Sequence, residues 1–316
     1  MYVLPFDHPD ATELSQTGGK GANLARMAQA GFDVPPGFIV ATDAYTTFVV
    51  ASGLQERIEA DLSGVDNGDF RQLELVTEGL RDAIIRTPVP GEIAAAIVEH
   101  CANPGEVAVR SSGTAEDLPG ASFAGQHDTY LCVRGADDVV NAVRRCWASL
   151  WTARATAYRE RKGFDHSTVQ IAVVVQQMVD SEVSGVMFTA NPMTAALDEI
   201  VINAAWGLGE GLVSGSLTPD LFVLQRDDLR VTSSVIGSKA LKFVRDAGGP
   251  HGVVHQDVPE IDQVRPCLSD EQLAAVGDCG RRVSDYYGSP QDIEWAIADG
   301  RLYVLQSRAV TGLELV

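Results

Sequence analysis

DIEWAIADGRLYVLQSR, residues 292–308, decides how this chain is read. Ile293, Trp295 and Ile297 lie on one side of Asp299-Gly300, and Leu302, Tyr303, Val304 and Leu305 on the other. These residues suit a pleated, half-buried surface, so two strands joined by a turn are expected. A two-residue loop would pair Glu294 with Leu305 and mix polar and apolar side chains on each face. A three-residue loop, with Gly300 left-handed, pairs Asp292 with Gln306, Ile293 with Leu305 and Trp295 with Tyr303. The side-chain period of two then gathers Asp292, Glu294, Gln306 and Arg308 on one face and the large apolar groups on the other. The spacing predicts this second register. Carboxylate and amide oxygens suit Mg2+, and a guanidinium suits phosphate. The same four residues also suit the solvated face of an edge hairpin, and the hairpin alone does not separate the two readings.

Composition narrows the field. The chain has 316 residues, enough for one large domain or two medium ones. A hydrophobic content of 45% and a charged content of 21% are those of an ordinary globular enzyme. No apolar run reaches the roughly 18 residues of a membrane span, and the acidic start MYVLPFDHPDATEL lacks the basic region of a secretory signal. Cys101, Cys132, Cys146, Cys267 and Cys279 form no CxxC pair, so neither a zinc site nor a disulfide framework is expected and a cytoplasmic location is. A net charge of −19 repels nucleic acid and anionic lipid. An anionic ligand would need local Lys and Arg or a metal.

Along the chain, TGGKGANLARMAQAGFDVPPGFIVAT (17–42) reads as a turn, a helix over 22–30 closed by Gly31, and a strand at FIVAT. Residues 43–104 read as helices, with a loop at 64–69. EVAVRSS (106–112) and DTYLCV (128–133) read as strands around a Gly-rich loop. One long helix is predicted from a cap at Asp137 or Asp138 to about Arg161, with Trp147 and Trp151 in its core face. VQIAVVVQQMV (169–179), SGVMFTA (184–190), EIVINAA (199–205) and DLFVLQ (220–225) read as strands, 226–266 as polar and irregular, and 269–288 as a helix with a Ser-Asp-Glu start.

Several motifs bear on chemistry. GGKG (18–21) ahead of a helix lacks the spacing of a Walker A loop and fits a plain turn better than a turn whose backbone N–H groups and Lys20 meet an anion. In VRSSGTAEDLPGASFAGQHDT (109–129), a long Gly/Ser/Ala loop suits a cover over a triphosphate, with Ser111, Ser112, Gly125 and Gln126 as donors. VVVQQMV (173–179) fits a buried strand or a hinge that reads an adenine edge. GLGEGLVSGSLTPD (207–220) fits a phosphate-side loop or a connector. Lys239 and Lys242 read as a solvated face. HGVVH (251–255) lacks the helical context of a zinc motif, so the six histidines read as structural or exposed.

GGKGANLARMAQAGFDVPPGFIVAT, VRSSGTAEDLPGASFAGQHDTYLCV, CWASLWTARATAYR, VVVQQMV, SGVMFTANP, GLGEGLVSGSLTPD and DIEWAIADGRLYVLQSR together resemble the ATP-binding domain of phosphoenolpyruvate synthase, pyruvate phosphate dikinase and rifampin phosphotransferase. The seven blocks stand in family order and run nearly end to end. The resemblance implies an α+β, ATP-grasp-like fold: one ATP-binding domain over 1–316, with two internal lobes and ATP between them. It implies ATP and Mg2+ as cofactors. Lys20 and Arg110 would contact phosphates, and Gly125, Gln126 and Thr129 would lie in the phosphate-covering loop. Gln176, Gln177, Met178 and Val179 would form the adenine hinge. Glu294 and Gln306 would hold Mg2+ and nucleotide, and Arg308 would meet phosphate, which makes Lys20, Arg110 and Arg308 the catalytic set.

One departure from the family is large. Its full-length members carry a swivelling domain with a TSHA-type phosphohistidine motif, which takes the β-phosphoryl of ATP, and an acceptor-binding domain; neither is found in these residues. The expectation is therefore an ATP-binding subunit or excised domain that works with a separate phosphohistidine domain and a small-molecule phosphoryl acceptor. This split resembles phenylphosphate synthase. A self-sufficient kinase that makes ADP and a non-catalytic nucleotide-binding module are the rivals. Pyruvate, a phenol or a rifamycin-like drug all stand open as acceptor, because acceptor chemistry belongs to other domains.

Overall fold

Runs of Val and Ile build one main antiparallel sheet in each of two compact units. The computed structural model describes residues 1–65, 69–101, 105–114, 128–166, 169–246 and 252–310.

The first unit comprises Met1–Gln29 and Pro36–Met178. Its strands are β1 (Val3–Pro5), β2 (Gly37–Val40), β3 (Val107–Gly113), β4 (Thr129–Val133) and β5 (Ile171–Gln177), in the order β1-β2-β5-β3-β4. The helices are α1 (Leu14–Gln29), α2 (Thr42–Ala51), α3 (Leu54–Ser63), α4 (Phe70–Arg86), α5 (Gly91–His100), α6 (Ala136–Ser149) and α7 (Ala153–Arg161). Alternation along the strands sends Val107, Val109, Val173 and Val175 into a core with Phe48, Trp147 and Trp151. The Phe48 and Trp147 rings stack 4.9 Å apart, and the Trp151 indole N–H donates to the Tyr45 hydroxyl at 2.9 Å. Helix α1 packs against β3 and β5 through a buried stripe that includes Leu24 and Met27.

The long helix expected to reach Arg161 is two helices. Thr152 caps α7 by accepting the Ala155 N–H at 3.2 Å, and the buried Arg159 guanidinium donates to the Leu150 carbonyl at 2.7 Å, closing the end of α6. Asp137 and Asp138 are not the cap. They lie in the first turn, where the helix dipole favours them, and Gly135 precedes it.

The second unit comprises Ala30–Pro35 and the chain from Val179 onward. Its main sheet orders β13 (Arg301–Ala309), β12 (Gln291–Ala298), β6 (Val183–Phe188), β7 (Glu199–Trp206), β8 (Asp220–Gln225) and β9 (Val231–Val235). Helix α10 (Asp270–Tyr287) packs on β12 and β7, with a Ser269–Gln272 capping box and Gly288 left-handed at its end. The short α8 (Glu210–Val213) and α9 (Glu260–Gln263) and a two-stranded sheet of β10 (Leu241–Arg245) and β11 (Val253–Asp257) complete it.

Two expectations fail in this unit. The stretch 226–266 carries β9, β10, β11 and α9. Every β9 residue is exposed and β10 is half-buried throughout, so neither leaves the alternation that marks a strand. Lys239 is not on a solvated face. It is fully buried, and its ammonium donates to Asp220 Oδ1 at 2.5 Å and to the carbonyls of Gly237 at 3.0 Å and Gln263 at 3.1 Å. The Asp220 carboxylate also accepts the N–H groups of Gly237 and Cys267.

Candidate functional site

The hairpin of β12 and β13 reaches its polar face by a route other than the one expected. Asp299 (φ 51°) and Gly300 (φ 72°) are both left-handed, which makes a two-residue turn of the primed kind that matches strand twist. Beside it Ala298 pairs with Arg301, Ala296 with Tyr303 and Trp295 with Val304. The register then shifts by one residue. Leu305 is the extra residue of a β-bulge, and Glu294 pairs with Gln306, Ile293 with Ser307 and Asp292 with Arg308. The expected three-residue loop, with Asp292 opposite Gln306, is therefore corrected. The expected grouping stands: Asp292, Glu294, Gln306 and Arg308 share one face, because the bulge restores the phase that a two-residue loop would have lost. Ile293 and Trp295 alternate with them and are fully buried.

This face is electrostatically coupled. Arg308 donates through Nε at 2.9 Å and Nη2 at 2.7 Å to Asp292 Oδ2. Burial pushes the Asp292 carboxyl up; Arg308 pulls it down and the Glu294 charge adds to the rise. Gln306 is buried and Glu294 half-buried.

In the first unit the GGKG turn is built around Gly18. Its φ of 66° and ψ of 176° break the helical path inside α1, a combination that only glycine adopts at little cost. A Cβ there would meet the Ser112 carbonyl oxygen at 2.2 Å and the Ser112 Oγ at 2.4 Å. Ser112 explains the closeness. Its hydroxyl donates to the Thr17 carbonyl at 2.8 Å and accepts the Gly21 N–H at 3.0 Å. Ser111 is likewise buried, with its hydroxyl toward the Asp128 carbonyl at 3.3 Å. The expected role of these serines as phosphate donors is thus replaced by a structural one: Ser112 ties the turn to β3.

Arg110 lies directly opposite Thr129 across β3 and β4. Ala108 lies opposite Gln176 across β3 and β5, so Arg110, Ser112, Thr129 and Gln176 share one face. Lys20 follows the turn that Ser112 ties to this face, and its field reaches Cys146, where it opposes the rise in pKa caused by burial and by Asp128. The Gln176 side-chain amide is buried, and its Nε2 has no hydrogen-bond partner among the described residues. Gln177 faces the other way and is exposed. The N–H groups of Gln177 and Met178 are bonded to the carbonyls of Pro36 at 2.8 Å and Glu106 at 2.9 Å. Val179 opens the second unit. Gly125 and Gln126 lie outside the described residues.

GLGEGLVSGSLTPD owes two of its glycines to packing. Gly207 (φ 78°) approaches the Phe243 carbonyl so closely that a Cβ would stand 2.2 Å from it, and Gly211 packs on Leu217 and Phe243. Among the described residues, no group of three or more His, Cys, Asp or Glu side chains is placed to hold a metal, and no helix is long and apolar enough to cross a membrane.

Residues 14–314 match the family model described as the pyruvate phosphate dikinase AMP/ATP-binding domain. A probable phosphoenolpyruvate synthase of Methanothermobacter thermautotrophicus is 47% identical over 320 residues, covering 99% of this chain and 46% of that protein. The phosphoenolpyruvate synthase of Pyrococcus furiosus is 43% identical over 359 residues, covering 99% and 44%. A rifampicin phosphotransferase of a Streptomyces species is 41% identical over 315 residues, covering 98% and 36%. The chain spans less than half the length of each of these relatives.

Proposed function

Because this chain belongs to the pyruvate phosphate dikinase AMP/ATP-binding domain family, we propose that it binds Mg-ATP and performs the ATP half of a dikinase-type phosphoryl transfer. The β-phosphoryl goes to a histidine on a swivelling domain and from there to a small-molecule acceptor, while the γ-phosphoryl passes to water, so that AMP and phosphate are left. The observation that carries this reading is the face formed by Asp292, Glu294, Gln306 and Arg308. A solvated edge would not need a half-buried carboxylate held by a doubly bonded guanidinium beside a second carboxylate and a buried amide.

The donor set fits magnesium. The ion usually takes one or two protein oxygens and completes its octahedron with water and phosphate, so Glu294 and Gln306 suffice without a larger acidic cluster. Bound there, Mg2+ would neutralise phosphate charge during transfer. Arg308 would hold a phosphate in place. In the first unit Lys20 and Arg110 would add positive charge at phosphate oxygens, with Thr129 beside Arg110. The buried Gln176 amide and its neighbours Gln177, Met178 and Val179 would read the adenine.

Product analysis tests this. The chain is incubated with Mg-ATP, alone and with a phosphohistidine domain from the family, and ATP, ADP and AMP are separated. AMP formed only with the histidine domain is the expected result. ADP formed by the chain alone, and increased by a small acceptor, would replace this reading with a direct kinase.

A further inference from the structure

Thr129 owes its place beside Arg110 to one extra residue in β4. Across β3 and β4 Val107 pairs with Val133, but Val109 pairs with Tyr130, so Leu131 and Cys132 together stand against Ala108. This is a β-bulge, and Cys132 carries its conformation. The residue is buried, and its φ of 56° is left-handed, which a residue with a Cβ adopts only at a cost. Tyr130 and Val133 both pack against the core of the first unit although they lie three apart, which an unbroken pleat would not allow.

The count decides which side chains face the site. Carried on from Val107 and Val133 without the extra residue, the ladder would set Tyr130 opposite Arg110 and Thr129 opposite Ser111. Thr129 would then lie on the face that Val107 and Val109 give to the core. With the extra residue, Thr129 stands opposite Arg110, on the face of Ser112 and Gln176. Beyond that pair the Ser111 N–H and hydroxyl both donate to the Asp128 carbonyl, at 3.4 and 3.3 Å. These bonds favour the bulged phase, and β4 reaches them only because one residue leaves the pleat at Cys132. They also make Arg110 and Thr129 a non-hydrogen-bonded pair, the close kind whose Cα atoms lie about 4.5 Å apart.

We propose that Cys132 is a positioning residue for the nucleotide site: its left-handed backbone takes up the extra residue of β4 and so sets Thr129 beside Arg110. This rests on reading Arg110 and Thr129 as nucleotide-binding residues. Cys132 acts through the strand and through its backbone, not its thiol.

Two readouts on the full chain test the proposal: the nuclear Overhauser contact between Hα atoms at Arg110, which reports the register, and Mg-ATP affinity by equilibrium dialysis. Cys132→Val places a β-branched residue where φ must be positive, which such residues resist. It is expected to move the Arg110 contact from Thr129 to Tyr130 and to weaken Mg-ATP binding about tenfold, the loss of one hydrogen bond to a charged group. Cys132→Gly, which adopts positive φ freely, is expected to keep both. Leu131→Gly combined with Cys132→Val hands the left-handed position to residue 131 and is expected to restore both, which a general loss of stability would not allow. A Val variant with the contact at Thr129 would overturn the proposal whatever its affinity, and a moved contact with unchanged affinity would overturn the positioning role. If the Val variant does not fold, the double variant decides: Arg110 against Thr129 with wild-type affinity supports the proposal, and a second failure to fold overturns it. A wild-type chain that failed to bind Mg-ATP would sink the nucleotide reading instead, and the contact at Arg110 would still decide what sets the register.

Discussion

Gly18 shows how one residue can hold a site and hide its reason. The GGKG motif suits a plain turn ahead of a helix, and also a turn that an anion approaches. The structure gives Gly18 a nearer cause: φ 66° and ψ 176°, with the Ser112 carbonyl where a side chain would begin. Gly18→Ala is expected to cost about 3 kcal/mol, from the strained backbone conformation and the displacement of Ser112. Because the Thr17 carbonyl and the Gly21 N–H both bind Ser112, the turn ahead of Lys20 should shift, and nucleotide affinity should fall with stability. Urea unfolding and Mg-ATP dialysis on the same variant check this; a variant as stable as the wild type would refute it. The sequence reports the glycines but not their partner, which is ninety-one residues from Gly21. Lys239 was misread for the same reason. A lysine defaults to the surface, and only the fold brings Asp220 and two carbonyls around it. Such a buried pair gives little net stability, although removing one partner would strand the other.

Elements were readable where burial leaves a period. The continuous apolar run at 171–177 is β5, and Ser269 with Gln272 opens α10. The hairpin was readable in its faces but not in its register, because a bulge carries no compositional mark. The break between α6 and α7 was missed because Thr152 is also tolerated inside a helix, and its cap becomes visible only with Arg159 on the Leu150 carbonyl. That junction carries a pH dependence. His166 is half-buried beside Arg159, whose Nε points at its Nδ1 at 3.5 Å, and Trp151 lies 6.2 Å from its ring. Burial first, and then the Arg159 charge, lower the imidazole pKa below 6.5, against a smaller opposing effect of Asp165. A lowered folded pKa means that the unfolded chain binds the proton more readily, so stability is lost as pH falls below 6.5. His166→Gln cannot take the proton. Urea unfolding from pH 7.5 down to about 5 should show the wild type losing ground to this variant, by at most about 1.4 kcal/mol per pH unit. Parallel curves would remove His166 from the acid response.

At the scale of the whole molecule, the α+β class and the family were readable from seven ordered blocks. The path of the chain was not, because nothing in AGFDVP (30–35) says that it leaves one unit to join the other. Charge is the remaining molecular property with a functional consequence. A net charge of −19 repels ATP at long range, while Lys20, Arg110 and Arg308 would attract it at contact. The two effects differ in reach. The Debye length is about 30 Å at 0.01 M salt and about 8 Å at 0.15 M, so added salt screens the distant acidic surface far more than charges in direct contact. Association should therefore quicken with salt, by roughly a factor of two over that range, the reverse of a steered encounter with a basic site. Dissociation, set by contact distances, should change less. Stopped-flow binding of a fluorescent ATP analogue with Mg2+, at constant free Mg2+ and rising potassium chloride, separates the two rates. Association that slows as salt rises would mean that the three cations dominate the field outside the protein as well, and that the acidic charge lies away from the nucleotide's path.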